Sequence, residues 1–211
     1  MPLFLRQFQI SGDLAHLYES NGFKYLSVIV DLFSRRVWVK PLKTKTPSEV
    51  QHAVQAVLDD GIVIQTFSSD RGGEYIGLKK FFKANNIRYA PKVGPSKAYM
   101  AEHFIYVIKK KLFMLMRSTG QTSWETLVYV ICRNINNSAC SEIGNIAPAS
   151  VDMENEADVR LAREKMGFHF LDWKQQQSNA KAFDQTPQKL KVGDYVYKIR
   201  QKEAFQKSHD T

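Results

Sequence analysis

The sequence predicts an α/β fold built on a mixed β-sheet, and three observations carry that prediction. An N-terminal series of β-branched and aromatic segments reads as a meander of strands. From Pro47 to Tyr89 the pattern changes to alternating helix and strand, which places helices against a sheet with parallel pairs. The composition, 44% hydrophobic and 24% charged over 211 residues, is that of a globular chain with room for one sizeable domain and a small appendage.

Phe23 to Asp31, FKYLSVIVD, is dense in strand-forming residues. Arg36 to Pro41, RVWVKP, alternates apolar and basic residues as a half-buried strand does, and a short Ser-Arg turn makes the two a hairpin. A strand over Phe8 to His16 completes the meander. Pro47 to Asp60 then sets Val50, Ala53, Val54, Val57 and Leu58 three and four apart, which is a helical stripe. Thr46 before Pro47, with Glu49 three residues after Thr46, predicts a capping box, and Gly61 a stop. Ile62 to Phe67 reads as a short strand, Leu78 to Ala84 as a helix and Ile87 to Tyr89 as a strand. Lys97 to Arg117 and Thr122 to Asn137 are two longer helices, and Ala147 to Val151 is one helical turn after an Asn-rich loop. The expected division is a core over residues 1–152, a helical and polar linker over 153–188, and the start of a small β-module over 189–211. LKVGDYVYKI, Leu190 to Ile199, supplies one strand of that module, and the chain reads as truncated after it.

Several classes of function are excluded or disfavoured. No stretch approaches the roughly 20 apolar residues of a membrane helix, and MPLFLRQFQ lacks the pattern of a secretory signal, so an intracellular chain is expected. Two cysteines cannot build a disulfide framework or a four-thiolate zinc site, and the five histidines pair with neither at finger-like spacing. The formal charge of +9 favours a polyanionic partner, because neutralised phosphates release condensed counterions.

Three carboxylates stand out by context. Asp13 lies on the first strand, Asp70 in SSDRGGEY after the Ile62–Phe67 strand, and Glu102 on the Lys97–Arg117 helix. Two-metal phosphoryl transfer needs carboxylates from separate elements converging on hard divalent ions, and Gly72 and Gly73 suit a sharp turn with close substrate approach. Taken singly, Asp13 also reads as a solvated surface group or helix cap, Asp70 as a turn residue and Glu102 as a moderator of repulsion between lysines. Glu102 is nevertheless the one acid among ten Lys or Arg between Lys79 and Arg117. That basic segment interleaves cations with Phe81, Phe82, Tyr89, Tyr99, Phe104, Tyr106 and Phe113, a pairing that suits phosphates and exposed bases. Phe81, Phe104 and Phe113 are expected in the core. Lys97 and Lys109 bracket Glu102, and Lys109 follows it by seven positions, about two turns on nearly the same face.

Four blocks share a common likeness: NGFKYLSVIVDLFSRRVWVKPLKTKT (21–46), SSDRGGEY (68–75), SKAYMAEHF (96–104) and INNSACSEIGNIAP (135–148). Together they resemble the catalytic core of retroviral-type integrases of the DDE superfamily. The likeness is nearest to integrases of LTR retrotransposons and of Maverick/Polinton-type DNA transposons, and it runs from Phe8 to Val151. It implies an RNase H-like fold with a five-stranded mixed sheet flanked by helices. It also implies that Asp13, Asp70 and Glu102 are the catalytic, metal-binding triad, with Mg2+ or Mn2+, two ions, as cofactor. The 31 residues between Asp70 and Glu102 are near the spacing such enzymes use. Lys109 falls where the family places a DNA-contacting lysine, and Lys97 and Lys110 join it as expected DNA-binding residues. Asp31 corresponds to a structural position. The implied activity is 3′-end processing and joining of element DNA to target DNA. Its implied partners are both DNAs and further copies of the chain, in a nucleus where the host is eukaryotic.

The sequence departs from the family pattern at three places. Gln9 is followed by Ile-Ser-Gly before Asp13, two residues longer than usual, which calls for a bulge or a displaced Asp13. His103, Phe104, Ile105 and Tyr106 replace the usual Arg-Phe-Asn-Arg after the Glu, and Asn145 looks inserted before Ile-Ala-Pro. These departures support a second reading, a catalytically inactive, integrase-derived DNA-binding protein. A nuclease acting on RNA–DNA hybrids is a third, resting on fold alone.

Overall fold

The computed structural model describes residues 8–91 and 99–166. The chain divides into two units, Met1–Gly167 and Phe168–Thr211, and the second lies outside the described residues together with residues 167–188 of the expected linker and the expected strand at 190–199. Strand β1 (Phe8–Ser20) turns at Asn21-Gly22 into β2 (Phe23–Asp31). Both turn residues are left-handed, with φ of 50° and 82°, the conformation that an Asn-Gly pair supplies to a tight hairpin. β2 leads through a second turn into β3 (Val37–Leu42). In that turn buried Asp31 accepts hydrogen bonds from the Ser34 amide (2.9 Å) and hydroxyl (2.6 Å), a structural use of this carboxylate.

Helix α1 (Pro47–Asp59), β4 (Ile64–Ser68), α2 (Gly73–Ile76), α3 (Lys79–Ala84) and β5 (Arg88–Tyr89) follow. The sheet order is β3-β2-β1-β4-β5, with the first three strands antiparallel and β1-β4 and β4-β5 parallel. This is the expected mixed five-stranded sheet. Pro41, paired with Leu26, is tolerated because β3 is an edge strand. Helices α4 (Tyr99–Thr119) and α5 (Trp124–Asn137) complete the layers.

Strand periodicity divides the apolar side chains between two cores. Leu26, Val28 and Val30 of β2 meet Ala101, Phe104, Ile108 and Leu112 of α4 and Trp124, Val128 and Ile131 of α5. Ile10, Ile29 and Phe67 meet Val50, Val54 and Val57 of α1 and Tyr75, Leu78 and Phe82 beyond β4. Burial on both faces explains why β2 is an almost unbroken apolar run.

The structure corrects several local expectations. Thr46 is the N-cap of α1 and Pro47 its first residue, but no capping box forms. The Thr46 hydroxyl sits 3.0 Å from that of Thr44, and Glu49 turns away to accept from the Lys43 amide at 3.4 Å. Asn145 takes a left-handed φ of 61° after Gly144 at 80°, so the extra residue is absorbed in a loop closed by the Cys140–Ile146 bridge. The segment read as a helical and polar linker carries, within the described residues, a helix α6 over residues 156–166. Its Val159 is wholly buried, and Arg163 lies over the Phe33 ring.

Candidate active site

Side-chain alternation on β1 puts Asp13 on the same face as Ala15, the face covered by α4. Pairing of β1 with β2 is unbroken from Ile10↔Asp31 through Asp13↔Val28 to His16↔Tyr25. The bulge expected between Gln9 and Asp13 is therefore absent from this pairing. The irregularity falls instead between Phe8↔Ile64 and Gln9↔Thr66, where β4 carries the extra residue. Gly12, inside the lengthened segment, has a packing reason. A Cβ there would lie 2.5 Å from Phe67 Cζ, so only a glycine lets this ring pack against β1, on the face opposite Asp13.

The parallel register of β1 with β4 reaches Ser11↔Ser68. Asp70 follows two residues further on, and its charge reaches Asp13. Several groups hold it there. The Asp70 carbonyl accepts from the Ser69 hydroxyl (2.8 Å) and the Tyr89 hydroxyl (3.1 Å), and its carboxylate accepts from the Gly72 amide (3.0 Å). Gly72 and Gly73 do not use left-handed backbone. Gly72 is instead the N-cap of α2, and a Cβ on it would lie 2.6–2.8 Å from the carboxylate atoms of Glu74. Glu102 stands exposed in the first turn of α4.

These acids share one electrostatic environment. The Asp13 carboxyl is pushed up to about 6, first by burial, with the Leu14 amide opposing at 2.8 Å. Asp70, Glu102 and Glu74 each raise it further. The Tyr75 phenol is driven well up by burial and then by Asp13, Asp70 and Glu74. Its hydroxyl is buried and has no hydrogen-bond partner among the described residues. Burial also raises the Tyr89 phenol, against the Ser69 hydrogen bond.

The charges of Asp70, Glu102 and Glu74 thus all act on Asp13. The sequence reading missed Glu74, which the Asp-x-Gly-x-Glu spacing of the 68–75 block could have supplied, and the clamp formed by Ser69 and Tyr89. The donors are all carboxylate oxygens, which suit a hard divalent ion. Among the described residues, however, no three His, Cys, Asp or Glu side chains stand close enough together to hold one as placed. A groove of about 390 Å3 between β3, α1 and α5, lined by Trp38, Lys40 and Arg133, contains none of these acids.

Lys109 and Lys110 are exposed on α4, and Lys97 lies outside the described residues. Phe104 is buried and Phe81 partly so, as expected. Phe113 is not a core residue: it is 67% exposed, because its position on α4 lies opposite the Phe104–Ile108–Leu112 stripe.

Residues 8–92 match the family model described as the integrase core domain. Over that stretch the chain is similar to the integrase core domain. That stretch includes Asp13 and Asp70 and ends before Glu102. The chain is 28% identical over 129 residues to an uncharacterized transposon-derived protein of Caenorhabditis elegans, covering 60% of this chain and 45% of that one. It is also 28% identical over 124 residues to a retrovirus-related Pol polyprotein from transposon RE1 of Arabidopsis thaliana, covering 54% and 8%. The chain thus spans less than half of either relative. The HTLV-2 integrase catalytic core, solved in complex with magnesium in a trimeric form, superposes with a TM-score of 0.60 at 18% identity, covering 70% of this chain and 97% of that one. The shared architecture is the RNase H-like fold, a five-stranded mixed sheet with flanking helices. Among the described residues no helix is long and apolar enough to cross a membrane.

Proposed function

We propose that this chain is the core of an integrase-type polynucleotidyl transferase acting on DNA, with Asp13, Asp70 and Glu102 as its reactive carboxylates. The observation that carries the reading is the state of Asp13. Burial raises this half-buried carboxyl to about 6, and the charges of Asp70 and Glu102, 57 and 89 residues further along the chain, add to the rise, as in sites built to meet a cation. Asp13, Asp70 and Glu102 would hold Mg2+ or Mn2+. When bound, two such ions supply activation of the attacking oxygen and stabilisation of the leaving oxygen in phosphoryl transfer. The chain's own contribution is positional. The Leu14 amide orients Asp13, and Ser69 and Tyr89 fix the backbone of Asp70. Lys109 and Lys110 supply cationic charge on the exposed side of α4, toward which a DNA backbone would be drawn. Relatives that work as assemblies favour further copies of the chain as partners, and the activity would place it with DNA, in a nucleus where the host is eukaryotic.

Calorimetric titration with Mg2+ and Mn2+, alone and with a DNA end present, tests the reading. The wild type is expected to bind, and Asp13→Asn, Asp70→Asn and Glu102→Gln each to lose the metal heat. Binding that survives all three changes would refute the assignment. A second reading, an inactive DNA-binding descendant, draws on the spacing of these acids, no three of which stand at ligand distance. It predicts DNA binding in every variant and no metal heat in any.

A further inference from the structure

Strand β1 pairs regularly with β2 from Ile10↔Asp31 to His16↔Tyr25, then loses register and resumes at Ser20↔Phe23 beside the turn. The tip of this hairpin is therefore held from outside the ladder, by the start of α5 and the residues before it. The Trp124 indole donates to the Tyr18 carbonyl at 2.8 Å, and the Tyr18 hydroxyl donates to the Thr122 carbonyl. At the turn itself the Asn21 side-chain amide donates to Glu125 Oε1. These bonds join residues 104–106 positions apart in the chain.

Glu125 is placed to receive donors from this turn. It is buried, and its Oε2 has no hydrogen-bond partner among the described residues. Burial pushes its carboxyl up, but hydrogen bonds from its own backbone, Ser20 and Asn21 outweigh that and hold it below the ordinary value. Glu125 is therefore charged at neutral pH.

Asn21 is the chain's one asparagine followed by glycine. Both residues are exposed, and Gly22 has no side chain to shield its backbone nitrogen from the Asn21 side chain. That nitrogen can attack Asn21 Cγ. A bond forms between Gly22 N and Cγ, the Cγ–Nδ2 bond breaks, and Nδ2 leaves as ammonia with the Gly22 amide proton. Water then opens the five-membered imide on either side of its nitrogen, giving aspartate or isoaspartate. The Glu125 hydrogen bond opposes the first step, because the leaving Nδ2 must give it up. The product cannot remake it. A carboxylate at position 21 has no proton to donate and meets the charge of Glu125, whose second oxygen has no donor to offset the repulsion.

We propose that Asn21–Gly22 is a site of spontaneous deamidation guarded by Glu125, and that its conversion releases the hairpin tip from α5. The modified chain keeps the regular part of the β1–β2 ladder and loses the tie between α5 and the tip of the strand that carries Asp13.

The test holds the full chain in warm, mildly alkaline buffer, follows residue 21 by peptide mass mapping and reads unfolding midpoints in urea. Wild type is expected to gain aspartate and isoaspartate at residue 21 before any other asparagine converts. Glu125→Ala, which removes the acceptor, should convert severalfold faster, and Glu125→Gln, which keeps an acceptor oxygen, near the wild-type rate. Asn21→Asp stands for the product and should unfold at lower urea than wild type at neutral pH. Adding Glu125→Gln to Asn21→Asp should restore the midpoint, because an amide then faces the new carboxylate with the donor reversed. That recovery separates charge repulsion from simple loss of a contact. Conversion at residue 21 no faster than at other asparagines, an unchanged rate in Glu125→Ala, an Asn21→Asp midpoint equal to wild type, or no recovery in the double variant would each overturn the proposal. None of these measurements uses metal or DNA, so their outcome is independent of the activity proposed above.

Discussion

Replacing Asp13 by Asn should stabilise the metal-free protein at neutral and alkaline pH while removing its response to metal. The Asn amide oxygen can still accept from the Leu14 amide, now 2.8 Å from the carboxylate, so the change removes mainly charge. The folded state holds the Asp13 proton up to about 6, against an ordinary value of 3.8. A folded carboxyl titrating above its unfolded counterpart binds protons more tightly when folded. Stability is then full below pH 4 and is lost as pH rises through 6. A difference of about 2 pH units corresponds to about 3 kcal/mol at full weight. The side chain is only partly buried, and solvent screening brings the expected figure to about 1–2 kcal/mol. Urea unfolding in EDTA reads it directly. Asp13→Asn should exceed wild type by that amount at pH 8 and match it at pH 4. Thermal scans should show a gain of about 2–8 °C at the higher pH. Added Mg2+ should raise the wild-type midpoint and leave the variant unmoved. A variant less stable than wild type at pH 8, or one whose difference is the same at pH 4 and 8, would refute the reasoning. Asp13 would then be a packing residue, and the field of Asp70, Glu102 and Glu74 would have no thermodynamic weight.

Other residues make separate predictions. Gly12→Ala forces a methyl to within 2.5 Å of Phe67 Cζ and should cost about 1–3 kcal/mol in urea unfolding, with metal binding lost beyond what the destabilisation explains. Tyr89→Phe removes the hydroxyl that donates to the Asp70 carbonyl. It should lower metal affinity while changing the unfolding midpoint little, and unchanged calorimetric affinity would show that Ser69 suffices. Asn136 both accepts from the Val37 amide at 2.8 Å and donates to the Val37 carbonyl at 2.7 Å, tying α5 to β3. Asn136→Ala should therefore destabilise by about 1–3 kcal/mol in the same unfolding assay. Lys109→Ala should lower the slope of log affinity against log salt by about 1 without altering metal heats.

Much of the architecture is legible in the residue pattern, for a physical reason. Strand β2 is buried on both faces and must be apolar throughout; α1 is buried on one side and must repeat at three and four. Both constraints act locally and leave their mark on neighbouring residues. Asp70 and Glu102 likewise stand out in the sequence, one through the glycines behind it and the other as a lone acid in a basic segment, as candidates for the proposed site. What depends on residues far apart could only be settled by the fold. The capping box at Thr46 fits the local pattern, but Glu49 has a competing amide at Lys43. Phe113 looks like a core aromatic, yet the phase of α4 is set by Phe104, Ile108 and Leu112 and turns that ring to solvent. Gly12 reads as an oddity of spacing until Phe67, 55 residues later, crosses over it. The raised carboxyl of Asp13 is the clearest case. Its neighbours lie on β4's exit, α2 and α4, and only tertiary packing puts their charges close enough, in a medium dry enough, to change what a single aspartate does.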